Sequence, residues 1–241
     1  MVKAFSETKA SVSSSTASLQ ALFRLSSASL PVGGYSYSQG LESAVSHGRV
    51  QNLLEFKMWL LSALKLWPKN DALLWTLAYT AIQRNAFEKL VDLNRLHWSS
   101  RDVYELRAET EQMGWSLIHL LSELDWLEGN LKSCLLKLDP PTFLVAHAGA
   151  CFAKKIPLKE GLLSFYFAFI ENQIQAAQKL LPIGQAAGQR LLGELQTEID
   201  QRIDQTLVNL TFDDDYLHTA APLHTILCAR HEFQYSRLFR S

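Results

Sequence analysis

From about Leu19 onward, apolar residues return at every third or fourth position, and almost nowhere does an alternating β-branched run interrupt them. That period puts apolar side chains along one face of a helix and cannot line one face of a strand. The chain is therefore read as all-α, a single-domain helical bundle of about ten helices. Its clearest stripe is Leu192, Leu195, Ile199, Ile203, Leu207 and Leu210, with Glu194, Glu198, Asp200 and Gln201 outside it. At 241 residues and 48% hydrophobic, the chain has the material for a core that folds unaided.

Punctuation sets the helix borders. A short helix is predicted over Leu19 to Ser26, followed by a turn at Pro31-Val32-Gly33-Gly34 and a second helix running to His47 before Gly48. Asn52 with Glu55 three residues on resembles a capping box, the next helix ends at Pro68, and Asn70 or Asp71 can cap its successor. Further helices are expected over Asp71–Arg84, Phe87–Trp98, Arg101–Leu124, Gly129–Leu138, Phe143–Lys154, Leu158–Leu181 and Gln185–Leu210. A last one is expected from Asp213 or Asp214 to about Arg230, interrupted near Pro222. Residues 1–17, rich in Ser and Thr, are read as a disordered tail, 18–229 as the helical domain, and 230–241 as a flexible C-terminal tail.

Charge narrows the partners. The formal net charge is -1, so no global field draws the chain to nucleic acid or an anionic membrane, and neither is expected as a partner. No stretch approaches the roughly 18 uninterrupted apolar residues of a membrane helix, since Glu160, Glu171, Asn172 and Gln173 break the best candidate. Three widely spaced cysteines, Cys134, Cys151 and Cys228, suit a reducing compartment, and a cytoplasmic protein is expected.

The residues offer little catalysis. There is no Gly-x-x-x-x-Gly-Lys-Ser/Thr loop, and Gly34-Tyr35-Ser36-Tyr37-Ser38 fails as a nucleophile elbow because Ser38 stands where a glycine is required. His224, Cys228 and His231 fall at i, i+4 and i+7, and His147 with Cys151 at i, i+4; each set lacks a fourth ligand, so no metal site is assigned. A helical metal-dependent enzyme on His224, Cys228 and His231 is the alternative reading. Glu171-Asn172-Gln173 interrupts an aromatic helix and must meet water, a hydrogen-bond network or a partner, a solvated face being the plain expectation. The C-terminal run Arg230-His231-Glu232-Phe233-Gln234-Tyr235-Ser236-Arg237-Leu238-Phe239-Arg240-Ser241 mixes cations with aromatics, the composition of binding hot spots. It is read as a partner-docking tail, with packing onto its own domain as the competing reading.

Four stretches share a further pattern: Leu30-Pro31-Val32-Gly33-Gly34-Tyr35-Ser36-Tyr37-Ser38-Gln39-Gly40-Leu41-Glu42, the Glu-x-x-Gln-Met-Gly element over Glu109 to Gly114, the Glu-Asn-Gln-x-x-Ala-Ala and Pro-x-Gly-Gln segment over Glu171 to Gln185, and the C-terminal run. Together they resemble the UreF family of urease accessory proteins, in order from about Leu19 to Ser241. One stretch departs: where the family often has Ser-Arg-Glu-Thr-Arg-Glu-Leu-Arg, this chain reads Ser100-Arg101-Asp102-Val103-Tyr104-Glu105-Leu106-Arg107.

The resemblance implies a non-catalytic maturation chaperone, an all-helical homodimer that joins the accessory GTPase and the third accessory protein in delivering nickel to apo-urease, and that modulates GTP hydrolysis. It implies no cofactor of its own, nickel being handled by the complex. The surface meeting the GTPase is expected at Tyr35, Tyr37, Ser38, Gln39 and Glu42, and also at Glu171, Gln175, Lys179 and Gln185. The third accessory protein is expected at Arg230, His231, Glu232, Gln234, Tyr235, Arg237, Leu238, Phe239 and Arg240.

Overall fold

The computed structural model describes residues 15–210 and 221–241. The expected tail over residues 1–14 and the expected helix start at Asp213 or Asp214 lie outside the described residues. Among the described residues the regular structure is twelve α-helices and two 3-10 turns: α1 (Thr16–Ser26), α2 (Leu41–Ser46), α3 (Leu53–Leu66), α4 (Asp71–Gln83), α5 (Phe87–Ser99), α6 (Tyr104–Glu123), α7 (Gly129–Leu135), α8 (Phe143–Ala153), α9 (Leu158–Leu180), α10 (Gln185–Glu194), α11 (Gln196–Asn209) and α12 (Pro222–His231). None of these helices is long and apolar enough to cross a membrane.

Local chemistry accounts for the borders. Helix α1 begins three residues before the expected Leu19 because Ser15 Oγ accepts the Ser18 amide as an N-cap, so residues 16 and 17 belong to the helical body. Asn52 Oδ1 accepts the Glu55 amide at 3.0 Å, while the Glu55 carboxylate reaches back to the Gln51 amide at 2.7 Å, one residue beyond the usual capping-box partner. Asn70 caps α4. Helix α6 starts at Tyr104 rather than Arg101 because the Arg101 guanidinium is held by both oxygens of Asp71, at 2.7 and 3.2 Å, and Val103 is extended. The helix expected over Gln185–Leu210 divides at Leu195, where a tightened turn lets both halves keep Leu191, Leu195, Ile199 and Ile203 in the core.

Helix α8 is the centre. Every residue from Leu144 to Cys151 is buried, the pattern of a helix surrounded on all sides, and α4, α6 and α9 pack around it. Its one polar side chain, His147, is satisfied inside: Trp75 Nε1 donates to Nδ1 at 3.1 Å, and Ser164 Oγ lies 3.4 Å from Nε2. Burial pushes the His147 pKa down to about 3, which keeps the ring neutral. Helix α9 approaches the same tryptophan through Gly161, where a methyl group would stand 2.7 Å from the Trp75 ring. Trp67 packs on Tyr166 and Phe169 of α9, closing the aromatic side of the core.

Candidate functional site: the seat of the C-terminal segment

Extending the apolar stripe of α6 backward from Leu121, Leu117 and Gly114 brings two glutamates, Glu105 and Glu109, onto the same buried face, one turn apart. Helix α2 adds a third buried carboxylate, Glu42, and α12 brings His231 between them. Carboxylates removed from water need donors, and the C-terminal segment supplies them. His231 Nδ1 lies 2.7 Å from Glu105 Oε2 and Nε2 lies 3.0 Å from Glu42 Oε2, with the ring fully buried. Both ring nitrogens face carboxylate oxygens. Arg237 Nη1 donates to the other Glu105 oxygen at 2.7 Å.

The chain after α12 then turns back over this cluster. The amides of Leu238 and Phe239 donate to the two oxygens of Glu42, at 2.7 and 3.0 Å. The Arg240 amide donates to the Ser36 carbonyl at 2.8 Å, and the Ser241 carbonyl accepts from both the amide and the hydroxyl of Ser38. Ser241 Oγ donates to Glu109 Oε2 at 2.9 Å, and Gln39 Nε2 donates to Glu109 Oε1 at 2.5 Å. Phe239 is buried against the core, with the Lys179 ammonium 5.2 Å from its ring centre. Residues 232–241 are thus fastened to the chain's own body, the competing reading of the sequence, and not extended as a free tail.

The loop before α2 is shaped for this closure. Gln39 and Gly40 have positive φ (52° and 80°), and a methyl group on Gly40 would stand 2.8 Å from Cys228 Sγ. His224 Nε2 donates to the Gln39 carbonyl at 2.9 Å, fixing α12 to the same loop. From α9, Asn172 Nδ2 donates to the Tyr37 carbonyl and Gln173 Nε2 to the Ser38 carbonyl, both at 2.9 Å, while Gln173 Oε1 accepts from Trp59. The solvated face expected for Glu171-Asn172-Gln173 therefore holds neither for Gln173, which is buried, nor for Asn172, which binds the loop; unpaired loop carbonyls there require donors.

The expected surfaces divide accordingly. Of the residues expected to meet the GTPase, Tyr37, Ser38 and Glu42 are buried and Gln39 is half-buried, all within this network, whereas Tyr35 is exposed. Burial raises the Tyr37 phenol pKa, against the pull of Arg240. Glu171 and Gln175 are half-buried on α9, and Lys179 near its C-terminal end and Gln185 at the start of α10 are exposed. Of those expected to meet the third accessory protein, His231 and Phe239 are anchors, Gln234 is half-buried, and Arg230, Glu232, Tyr235, Arg237, Leu238 and Arg240 are exposed. Phe233, Tyr235 and Leu238 are 87%, 105% and 70% exposed, an apolar display for which the body supplies no cover. Glu105 and Glu109, to which sequence reasoning assigned no role, and Ser241, expected as part of the partner-docking run, complete the seat.

The candidate metal ligands are adjacent but committed. Cys228 Sγ lies 3.6 Å from His224 Nε2, and burial raises the Cys228 thiol, which keeps it protonated. His224 Nε2 is bound to a carbonyl, and both nitrogens of His231 face carboxylates. Among the described residues no group of three or more His, Cys, Asp or Glu is placed to hold a metal ion. On the other side of α12 a cavity of about 970 Å³ opens, lined by Trp59, Met58, Phe169 and Leu223, with the Asp71–Arg101 pair at its polar end. Burial pushes the Asp71 carboxyl up, but Arg101 and His97 outweigh it and hold the group well below the usual carboxylate range.

The UreF family model matches residues 50–196, more than half of the chain. The urease accessory protein UreF of Polynucleobacter asymbioticus is 38% identical over 224 residues, 92% of this chain and 97% of that protein. The protein of the same name from Ralstonia pickettii is 39% identical over 225 residues, 93% of this chain and 98% of that one. The bifunctional urease accessory protein UreEF of Bordetella bronchiseptica is 39% identical over 240 residues, 97% of this chain but 55% of that protein. An all-helical body carrying an anchored, aromatic C-terminal segment is the class that fold and site define. Within it, this chain belongs to the UreF family of urease accessory proteins.

Proposed function

We propose that this protein is a urease maturation chaperone, a cytoplasmic homodimer that scaffolds the accessory GTPase and the third accessory protein while nickel is delivered to apo-urease, and that it modulates GTP hydrolysis rather than performing it. The observation that carries the reading is the C-terminal segment: His231 and Phe239 fix its backbone, while Phe233, Tyr235 and Leu238 stand in solvent. A segment already ordered loses less conformational entropy when a partner covers it, so its aromatic side chains contribute more of their burial to affinity. The Bordetella relative, named as bifunctional UreEF, supports a role beside another accessory function.

The GTPase is assigned to Tyr35, Lys179 and Gln185, the exposed members of the expected set. Tyr37, Ser38, Gln39 and Glu42 act behind them by holding the loop in place, and Glu171 and Gln175 lie half-buried on α9. A partner of this kind shifts a GTPase's switch elements by binding one of their states more tightly. Nickel is cargo of the complex, and the commitment of His224, Cys228 and His231 to other bonds disfavours the metal-enzyme alternative.

Size-exclusion chromatography with light scattering, on the chain alone and with the two accessory proteins, nickel and GTP, tests the reading. A dimer that enters one heterocomplex is expected. A chain that stays apart under every condition overturns the scaffold role.

A further inference from the structure

The cavity of about 970 Å³ beside α12 has apolar walls, and its mouth is apolar as well. Tyr35, Leu54, Met58 and Leu223 line it, and each is more than half exposed. Large apolar side chains gathered round one opening form the kind of surface that a partner covers. A small molecule inside the cavity would leave them in water, whereas a protein wide enough to span the opening removes them from it.

Glu171 of α9 supplies the charge. It lines the same cavity half-buried, and among the described residues its carboxylate meets no donor. The other charged groups around the cavity are either held or in water. Asp71 and Arg101 bind each other, Asp102 accepts the Thr225 hydroxyl, Glu55 accepts the Gln51 amide, and Glu109 accepts from Gln39 and Ser241. Arg49 and Lys65 are exposed. An exposed charge is solvated and gains little from a partner, but a half-buried carboxylate has lost part of its water and gains from a cation that replaces it. Burial accordingly raises the Glu171 carboxyl.

We infer that the cavity is a socket for a partner protein that inserts an apolar side chain and pairs an adjacent arginine or lysine with Glu171. Trp59 and Phe169 give the inserted side chain aromatic walls, and the exposed rim packs round its base. Gln175, one turn after Glu171 and half-buried on the same cavity, offers its amide to the partner's backbone. Tyr35, Glu171 and Gln175 belong to the set expected to meet the GTPase, so the partner's identity rests on the proposed function; the chemistry of the socket does not.

A benzophenone side chain placed at Leu54 on the exposed rim of the full chain reports what covers the opening when the purified accessory GTPase and third accessory protein are added. Photo-cross-linking to a GTPase segment that carries an apolar residue beside an arginine or lysine is expected. In parallel, calorimetry compares the dissociation constant of the GTPase for the wild type, Met58→Ser and Glu171→Gln. Each variant is expected to weaken binding about tenfold with an unchanged urea midpoint, and Glu171→Gln to lessen the dependence on salt as well. A complex that forms with wild-type affinity in both variants and without a cross-link at Leu54 overturns the socket and leaves the proposed function standing. Cross-linking to the third accessory protein instead keeps the socket and removes the GTPase from this face. No complex with either protein overturns both.

Discussion

The imidazole of His231 stands 2.7 Å from the carboxylate of Glu105, joining residues 126 apart in sequence and turning the end of α12 into the anchor of everything after it. Because Glu42 takes the other ring nitrogen, deleting the ring leaves two buried carboxylates facing one another. His231→Ala should cost about 3–5 kcal/mol, the range for breaking a buried pair from one side. Urea unfolding checks it, and exchange at residues 237–241 should become unprotected in the same variant. A loss below about 1 kcal/mol, the scale of a surface pair, would show that the cluster is no anchor.

Gly40 sits at φ +80° with Cys228 Sγ where its Cβ would go. Gly40→Ala therefore meets both backbone strain and a clash, and should lower stability by about 1–3 kcal/mol. Adding Cys228→Ala removes the clash but not the strain. Thermal unfolding of the two single variants and the double should show a double-variant loss smaller than the sum. Strict additivity would mean that the close approach carries no energy.

Acid should unfold the core through His147. Its pKa is depressed by burial from 6.5 to about 3, so its contribution is present above 6.5 and is lost as pH falls toward 3. Stability should drop by up to about 1.4 kcal/mol per pH unit from this group alone. Asp71, held low chiefly by Arg101 against the upward push of burial, adds a loss that develops below its ordinary 3.8. Chemical denaturation between pH 4 and 7 checks the slope, and His147→Asn, which keeps a polar group near Trp75 without the titration, should flatten it.

The helical period was sufficient for the architecture, because each helix of a bundle buries a face that repeats locally. Stops and caps written in single residues, such as Asn52, Pro68 and Asn70, were equally legible. Misplaced borders trace to long-range effects: Arg101 leaves α6 to reach Asp71, and Leu195 bends one expected helix into two to stay in the core. The aromatic and cationic character of the C-terminal run was visible, but its fastening was not, because Glu42, Glu105 and Glu109 are distant in sequence. One signal was available: Glu105 and Glu109 continue the stripe of Leu117 and Leu121, and glutamates on a core face call for buried partners.

Anchor and display should separate by mutation. Phe239→Ala, at a buried ring, should cost about 3–5 kcal/mol of stability. Tyr235→Ala and Phe233→Ala, at exposed rings, should each change stability by no more than about 0.5 kcal/mol. Urea midpoints of the three variants make the comparison, and equal losses at all three would refute the division.

The proposed function has the third accessory protein recognising this exposed aromatic display. Its most direct test is the dissociation constant of that protein for the wild-type chain and for the combined Phe233→Ala, Tyr235→Ala and Leu238→Ala variant, by calorimetry at one pH. An unchanged fold and a loss of affinity of at least a hundredfold, corresponding to about 2.7 kcal/mol, are expected. Affinity within threefold of the wild type would contradict it and place the partner elsewhere on the helical body.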